Sequence, residues 1–575
     1  MTYIIYYYLS TLILFTNDIN VSFVLYVTRF VLTMGIPSYF SHIIKNYSNI
    51  IRNLSYFVNN ANFRFAHLYM DCNSIIYDSV HSLEKKLDLS TPFDSNEFER
   101  NVIENVCEKI DEYIRFINPT STIFIAFDGV APFAKMDQQR TRRHKSSFMT
   151  NHSLDKETKP HWNTTAITPG TAFMQKLSHR IQYLFKHSEK KYGVLNVIVS
   201  CSNEIGEGEH KLFHHMRNNK FENDYVAVYG LDSDLIMLSI FHLKYCKNIF
   251  IFREAPEFLK SSIPIDHNGK DNDPHFLDIH HLSLSILSVM DCQRADPQRI
   301  VDYVFLCFFL GNDFLPHFPA MNIRTHGING LLDTYRLIIG KHVDRFLVSK
   351  TNGKIQWKNV GLFLKEIAKN EHGFLMNEYH VRDKFDKRKY LESTADEKID
   401  LLNNTPIIYR AEEKYICPSE QKWESRYYKI LFSCDNTDNN LKNICNNYLE
   451  GLEWVLLYYT ESCPNWKWKY NYNYPPLFND LIKYVPHFEM DFIKRDSSHF
   501  SYLAQLVYVL PRSNLYFLPT SIRDFLIKHY GELYPENYHF QWAFCRYFWE
   551  AHPLLPDIDV KLLEQLNTQF LAFSS

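Results

Sequence analysis

The chain has 575 residues, 46% of them hydrophobic and 22% charged, which suits two or three domains with buried cores and excludes a disordered chain. Its 62 basic and 65 acidic residues leave a net charge of −3, so it is no globally basic nucleic-acid coat, and a polyanion must be gripped by a local patch. The eleven cysteines form no CxxC pair and no regular spacing, which speaks against a zinc ribbon or disulfide framework and for a reducing compartment.

Residues 1–33 come first. YIIYYYLSTLILF and VSFVLYVTRFVLT are apolar but are broken by TNDIN, and neither reaches the roughly 18 residues a membrane span needs. With no basic n-region and no small-residue cleavage site they fit a signal peptide poorly. The stretch reads as an extension dispensable for activity, with a membrane-associating or packed segment as the alternative.

From Met34 short apolar runs alternate with helical periodicity, the pattern of an α/β fold. Several runs deliver acids. RFAHLYMD ends at Asp71 and TIFIAFD at Asp128, after which the chain turns basic with Lys135, Arg140, Arg142, Arg143 and Lys145. LNVIVSCSNEIGEGEH supplies Glu207 and Glu209, which flank Gly208 in an expected tight turn before a helix near His210. DYVAVYGLDSD ends at Asp232 and Asp234, expected to flank Ser233 in an extended segment and so share a face. FLCFFLGNDFLPHFP places Asp313 after an apolar, helix-like run. From about residue 340 the chain becomes helical and aromatic-rich, with KNEHGFLMNEYHVRDKFDKRKY read as a charged, exposed segment.

One Asp after a strand is ordinarily an N-cap or turn residue. Seven acids at five element ends ask for more, because ligands of open α/β sheets collect at the carboxyl ends of the strands. Carboxylates gathered there repel one another unless a cation neutralises them. Hard divalent ions with oxygen ligands are the natural partners, and two of them would serve phosphodiester cleavage. The pattern is nuclease-like.

The motifs also resemble a family. MGIPSYF at Met34, YMDCNSIIY at Tyr69, AFDGVAPFAKMDQQRTRR at Ala126, WNTTAITPGTAFM at Trp162, GEGEHK at Gly206, YGLDSDLIML at Tyr229 and GNDFLPHFP at Gly311 resemble, in order, the signature blocks of the XRN 5′→3′ exoribonucleases. NYLEGLEWVLLYYTESCPNWKWKYNYNYPPLFNDL, from Asn447, resembles that family's second region, so the likeness covers nearly everything after residue 33.

The resemblance implies a PIN/flap-nuclease-like α/β catalytic domain with a largely parallel central sheet over 34–335, then a mainly helical second region over 336–575. It implies that Asp71, Asp128, Glu207, Glu209, Asp232, Asp234 and Asp313 hold Mg²⁺, two ions with Mn²⁺ as a substitute. It implies that Lys135, Gln139, Arg142 and Arg143 form a pocket for a 5′-monophosphate. On a helix the first three lie at steps of four and three, on one stripe, and a guanidinium grips a terminal phosphate with paired hydrogen bonds. In the family a His and a Trp sandwich the 5′ base. Here the His position is Tyr77, which can stack but carries no imidazolium charge, and the Trp is Trp468 in preference to Trp466.

The implied activity is Mg²⁺-dependent, processive 5′→3′ degradation of single-stranded RNA with a 5′-monophosphate, releasing nucleoside monophosphates. DNA is left open as a substrate. A monomer without stable membrane anchoring is expected, in the cytoplasm rather than the nucleus, because RTRRHK is assigned to the active site. Two other readings are a flap-type DNA endonuclease and an inactive RNA-binding protein. FLPHFPAMNIRTHGING lacks the Gly-x-Gly hairpin pattern of the first, and nothing but catalysis requires all seven acids.

Overall fold

The structure, a computed structural model, describes residues 38–574 apart from 53–56, 58–62, 88–92, 153–161, 231 and 255–273. The expectation for the N-terminal extension, residues 1–33, lies outside the described residues.

The centre is a seven-stranded sheet. Its strands are β1 (Ile51–Arg52), β2 (His67–Asp71), β3 (Thr122–Ala126), β4 (Asn196–Ser200), β5 (Tyr225–Tyr229), β6 (Asn248–Arg253) and β7 (His275–Asp278), in the order β1-β7-β6-β5-β2-β3-β4. The five strands from β6 to β4 are parallel, and β7 and β1 continue the sheet antiparallel. The central sequences TIFIA and YVAVY are rich in β-branched and aromatic residues, and with HLYMD they are almost wholly buried, as a sheet covered on both faces requires.

Strand alternation divides these residues between two cores. Leu68 and Met70 of β2 and Ile123 and Ile125 of β3 face α1 (Asn73–Glu84), α2 (Ser95–Ile117) and, after α3 (Phe133–His152), α4 (Ala172–Phe185). Tyr69 and Phe124 face the other way, toward α5 (Gly208–Asn219) and α6 (Asp234–His242). Helix α2 begins where Asp94 accepts the N–H groups of Asn96 and Glu97, and it ends at Asn118 with φ 48°.

The chain leaves β2 for β3 and β4 on one side and returns to β5 and β6 on the other. The strand order therefore reverses at β2, and a crevice opens above its carboxyl end.

The second half is helical, as expected. Residues 369–390, read as exposed, belong mostly to α8 (Trp357–Asp386), which follows α7 (Gln298–Cys307). Most of this segment is exposed or partly so, as expected, but three of its charged residues, Glu371, Glu378 and Arg382, are buried and partnered. Glu371 accepts the N–H groups of Phe478 at 2.7 Å and Asn479 at 3.2 Å, and Arg382 bonds both carboxylate oxygens of Glu413 at 2.6 and 2.9 Å. The division at 335/336 falls where helix Gly327–Tyr335 runs directly into a π-helical turn, Arg336–Gly340. One hydrophobic cluster crosses it, joining Tyr39 and the sheet to α9 (Asp438–Thr460) and Ile493.

A separate cluster packs α10 (Tyr502–Val509) on Val130, Phe133 and Met136, at the start of α3. All eleven cysteines are free. Among the described residues no helix is long and apolar enough to cross a membrane.

Candidate active site

All seven predicted acids face the crevice at the carboxyl ends of the parallel strands. Asp71 is the last residue of β2 and Asp128 lies two residues beyond β3. Asn73 binds them together, since its backbone N–H donates to the Asp71 carboxylate while its side-chain amide donates to Asp128 Oδ2 and its Oδ1 accepts the Asp128 N–H at 3.2 Å. Helix α5 begins at Gly208, two residues earlier than expected, with Glu207 at its N-cap and Glu209 in its first turn. The Gly208 N–H donates to Asp128 Oδ1 at 2.7 Å, and a Cβ on Gly208 would lie 2.5 Å from Asp71 Oδ1. Glycine is what lets this helix start against the two carboxylates.

The extended segment expected at Ser233 is not there. Its φ of −65° and ψ of −27° are already helical, and Asp234 opens α6. The helix start still aims both Asp232 and Asp234 into the crevice, so the position was right and the local geometry was not. Asp313 comes from the loop after α7, where Gly311 has φ +86°, a left-handed conformation suited to glycine.

Electrostatics shows how closely the acids gather. Burial, then Asp128 and Asp232, push the Asp71 carboxyl well above its usual range. Burial, then Asp313 and Asp232, do the same to Asp234. Glu209 is also raised well, by burial and by Asp234, Glu207 and Asp232 against the pull of Lys135. Asp232 rises to about 7 through burial and Asp313. Lys135 lies among them, its Nζ 2.6 Å from Glu207 Oε2 and 2.7 Å from Asp313 Oδ2. Burial alone would lower its pKa, but Asp313 and Glu207 outweigh that and raise it well.

One ammonium cannot neutralise seven carboxylates. Among the described residues no group of three or more His, Cys, Asp or Glu side chains closes around a point as a metal shell. Three buried carboxylate oxygens nonetheless have no hydrogen-bond partner: Asp71 Oδ1, Glu209 Oε2 and Asp234 Oδ1, from three different elements. Unsatisfied, all-oxygen and anionic, this donor set fits a hard divalent cation.

The four residues expected to form the phosphate pocket lie on α3, where their environments differ. Lys135 pairs with the acids. Gln139 Oε1 accepts the Gln505 amide at 3.0 Å, and Gln505 in turn accepts the Ala131 N–H at 3.0 Å. Arg143 donates to Ile167 O at 2.7 Å, Thr168 Oγ1 at 2.9 Å and Thr164 O at 3.3 Å, so it also holds the loop of residues 164–168. Arg142 lines a cavity with Asp313. Tyr77 contacts the Arg143 guanidinium; burial would raise its hydroxyl pKa, but Arg143 and Arg142 bring it below the usual value.

Trp468 is buried, with its ring 5.3 Å from that of Trp454 at 25° and its indole N–H donating to Glu450 at 3.2 Å. One face is therefore already covered, which weighs against stacking on a base from that side. Trp466 is only partly buried, and its carbonyl accepts the Phe133 N–H at 2.9 Å, at the start of α3.

Sequence reasoning missed the supporting groups. The Tyr458 hydroxyl donates to Glu207 Oε1 at 2.6 Å, and Tyr459 bonds Asp234. His210 stacks on Tyr458 with ring centroids 3.6 Å apart. The Lys211 ammonium donates to Phe127 O at 2.8 Å and Cys201 O at 3.0 Å, tying together the ends of β3 and β4. The adjacent tyrosines in VLLYYTES were the one available signal, two hydroxyls inside an otherwise apolar helical run.

Residues 34–255 match the family model described as the XRN 5′-3′ exonuclease N-terminus, and residues 294–422 and 409–570 match that described as the Xrn1 helical domain. The chain is 25% identical to a 5′-3′ exoribonuclease 2 of Candida albicans, over 88% of this chain and 68% of that protein. With the Gallus gallus 5′-3′ exoribonuclease 2 it shares 25% identity over 88% of this chain and 65% of the relative. With the Saccharomyces cerevisiae 5′-3′ exoribonuclease 1 the identity is 23%, over 94% of this chain and 43% of the relative. The chain thus spans about two thirds of the length of the exoribonuclease 2 relatives and less than half of the yeast exoribonuclease 1.

Proposed function

The chain belongs to the XRN 5′-3′ exonuclease family, and from that premise we propose that it is a Mg²⁺-dependent, processive 5′→3′ exoribonuclease. It takes single-stranded RNA with a 5′-monophosphate and releases nucleoside 5′-monophosphates. One observation carries the reading: Lys135 belongs both to the basic helix and to the acid cluster, bonding Glu207 and Asp313 from the same turn of α3 that leads to Gln139 and Arg142. An anion gripped by α3 therefore sits beside the carboxylates.

The acids at Asp71, Asp128, Glu207, Glu209, Asp232, Asp234 and Asp313 would hold the divalent ions, which supply Lewis-acid activation for phosphodiester hydrolysis. Asn73, Tyr458 and Tyr459 orient three of these carboxylates by hydrogen bonds. Lys135 and Arg142 place positive charge where a terminal phosphate, more anionic than a diester, is preferred. Tyr77, held by Arg143, offers a ring for the 5′ base.

Hydrolysis of 5′-phosphorylated RNA is expected to require Mg²⁺ and to stop on chelation. Asp232→Asn is expected to abolish turnover while leaving binding of the same RNA near the wild-type level, as measured by equilibrium anisotropy. Turnover that survives both chelation and Asp232→Asn would remove the metal from this reading.

A further inference from the structure

A cavity of about 270 Å³ adjoins the reaction centre on the next face of α3. It opens at Arg142 and Asp313 and extends along Gln138, Thr141 and Lys145, residues that form a stripe at steps of three and four. Gln139 and Arg143 face away from this stripe, and Arg142 lies between the two faces. The volume is at the small end of the range for ligand sites, about 300–1,000 Å³, which suits a single nucleotide better than a folded strand.

Three residues that line the cavity each carry a buried polar atom with no hydrogen-bond partner: Gln138 Oε1, Asn312 Nδ2 and Trp549 Nε1. The Asn312 amide is fixed in orientation, because its Oδ1 accepts the N–H groups of Phe314 and Leu315, both at 2.9 Å. Buried groups left unsatisfied are costly, and three of them around one space point to a ligand that supplies both donors and acceptors.

The charges favour an anion. Asp137 and Glu550 line the cavity but are paired, with Lys469 at 3.1 Å and Arg324 at 2.7 Å, and Asp313 is paired with Lys135. The Lys145 ammonium donates to the Trp549 carbonyl instead of a carboxylate. Tyr470 and Tyr472 add aromatic wall.

Resting on the function proposed above, we infer that this chamber receives the nucleoside 5′-monophosphate released at each turnover. Each cleavage leaves a mononucleotide whose phosphate is held near Arg142, while a processive enzyme keeps the remaining strand in the entrance. The chamber lets that product leave the reaction centre without passing the strand. Arg142, at the mouth, hands the phosphate on to Lys145, and Gln138, Asn312 and Trp549 line the space that the nucleoside enters.

The test combines calorimetric binding of AMP to the full chain with AMP inhibition of RNA hydrolysis, comparing wild type, Lys145→Met and Trp549→Phe at fixed salt. Wild type is expected to bind AMP, and AMP is expected to inhibit in a manner that excess RNA does not relieve. Losing one charge-assisted contact in Lys145→Met is expected to weaken AMP binding about tenfold or more, a larger effect than any fall in kcat/KM for 5′-phosphorylated RNA. Trp549→Phe, which keeps an aromatic ring to stack on Tyr547 while removing the indole N–H, guards against misfolding and is expected to weaken AMP binding less.

AMP that competes with RNA and is insensitive to both substitutions would place it in the 5′-phosphate pocket and overturn the proposal. A fall in kcat/KM for RNA in Lys145→Met, with AMP still competitive, would assign the chamber to the strand and overturn it equally. If the wild type fails to hydrolyse RNA, the functional reading fails, but calorimetry still decides whether AMP binds and whether Lys145 matters. If hydrolysis is normal and AMP does not bind, the chamber alone is refuted.

Discussion

A methyl group at position 208 would sit 2.5 Å from Asp71 Oδ1 and 3.5 Å from Asp128 Oδ1. Alanine is a better helix former than glycine by roughly 1 kcal/mol, so α5 itself has no reason to weaken. The contact falls on the end of a side chain, which can yield by moving, and that side chain is part of the acid cluster. Gly208→Ala is therefore expected to fold with an unchanged melting temperature and to lose activity on the order of 100-fold, the effect of displacing a reacting group by about an ångström. Activity assay and thermal denaturation of the same preparation check this; full activity would show that the Asp71 position is not critical.

At the level of elements, α8 shows what charge on a helix can conceal. Arg382 donates to both Glu413 oxygens and to Cys545 O at 3.0 Å, while Glu413 accepts the Phe544 N–H at 2.9 Å. The pair pins the segment around residue 544 to the helical region. Arg382→Met removes one of the two cations on buried Glu413 and leaves Arg410 Nε at 2.5 Å, so the loss is expected to fall short of the about 3–5 kcal/mol of a buried pair broken outright. Denaturant unfolding is expected to show that loss, with part of it recovered in Arg382→Met/Glu413→Leu. An Arg382→Met protein as stable as wild type would contradict the network.

The same helix explains where sequence reading stopped. Asp71, Asp128, Glu207, Glu209, Asp232, Asp234 and Asp313 were legible because each follows an apolar run whose end defines a place in the sheet. Helical spacing placed Lys135, Gln139 and Arg142 on one stripe with Arg143 beside it, while a phosphate-binding role for them came from the family resemblance alone. Tyr458 and Glu207 are 251 residues apart, and Arg382 and Glu413 are 31 apart across a turn of the chain. No local pattern reports such pairs, so buried charge on α8 looked like solvated charge. The helical conformation at Ser233 was missed for a related reason, since packing of α6 against the sheet sets where that helix starts.

Across the whole molecule the crevice is shared property. The sheet supplies most acids, α9 supplies Tyr458 and Tyr459, and Lys469 pairs with Asp137 of α3 at 3.1 Å. The hydrophobic cluster that crosses residue 335 makes the two family regions one mechanical unit around the site. The helical region therefore acts as the wall that closes the crevice, and a catalytic half expressed alone would lack it.

The central claim is that α3 selects a terminal phosphate at the mouth of the acid cluster. The most direct measurement is the ratio of kcat/KM for 5′-monophosphorylated over 5′-hydroxyl RNA of one sequence, at fixed salt because backbone contacts are screened. Wild type is compared with Arg142→Ala, chosen because Arg143 also holds the backbone of residues 164–168. A strong wild-type preference for the monophosphate is predicted, falling about tenfold or more in Arg142→Ala, since a charge-assisted contact is worth about 1.5–3 kcal/mol. A wild-type ratio near unity, or a ratio unchanged in Arg142→Ala while both rates fall together, would contradict the account.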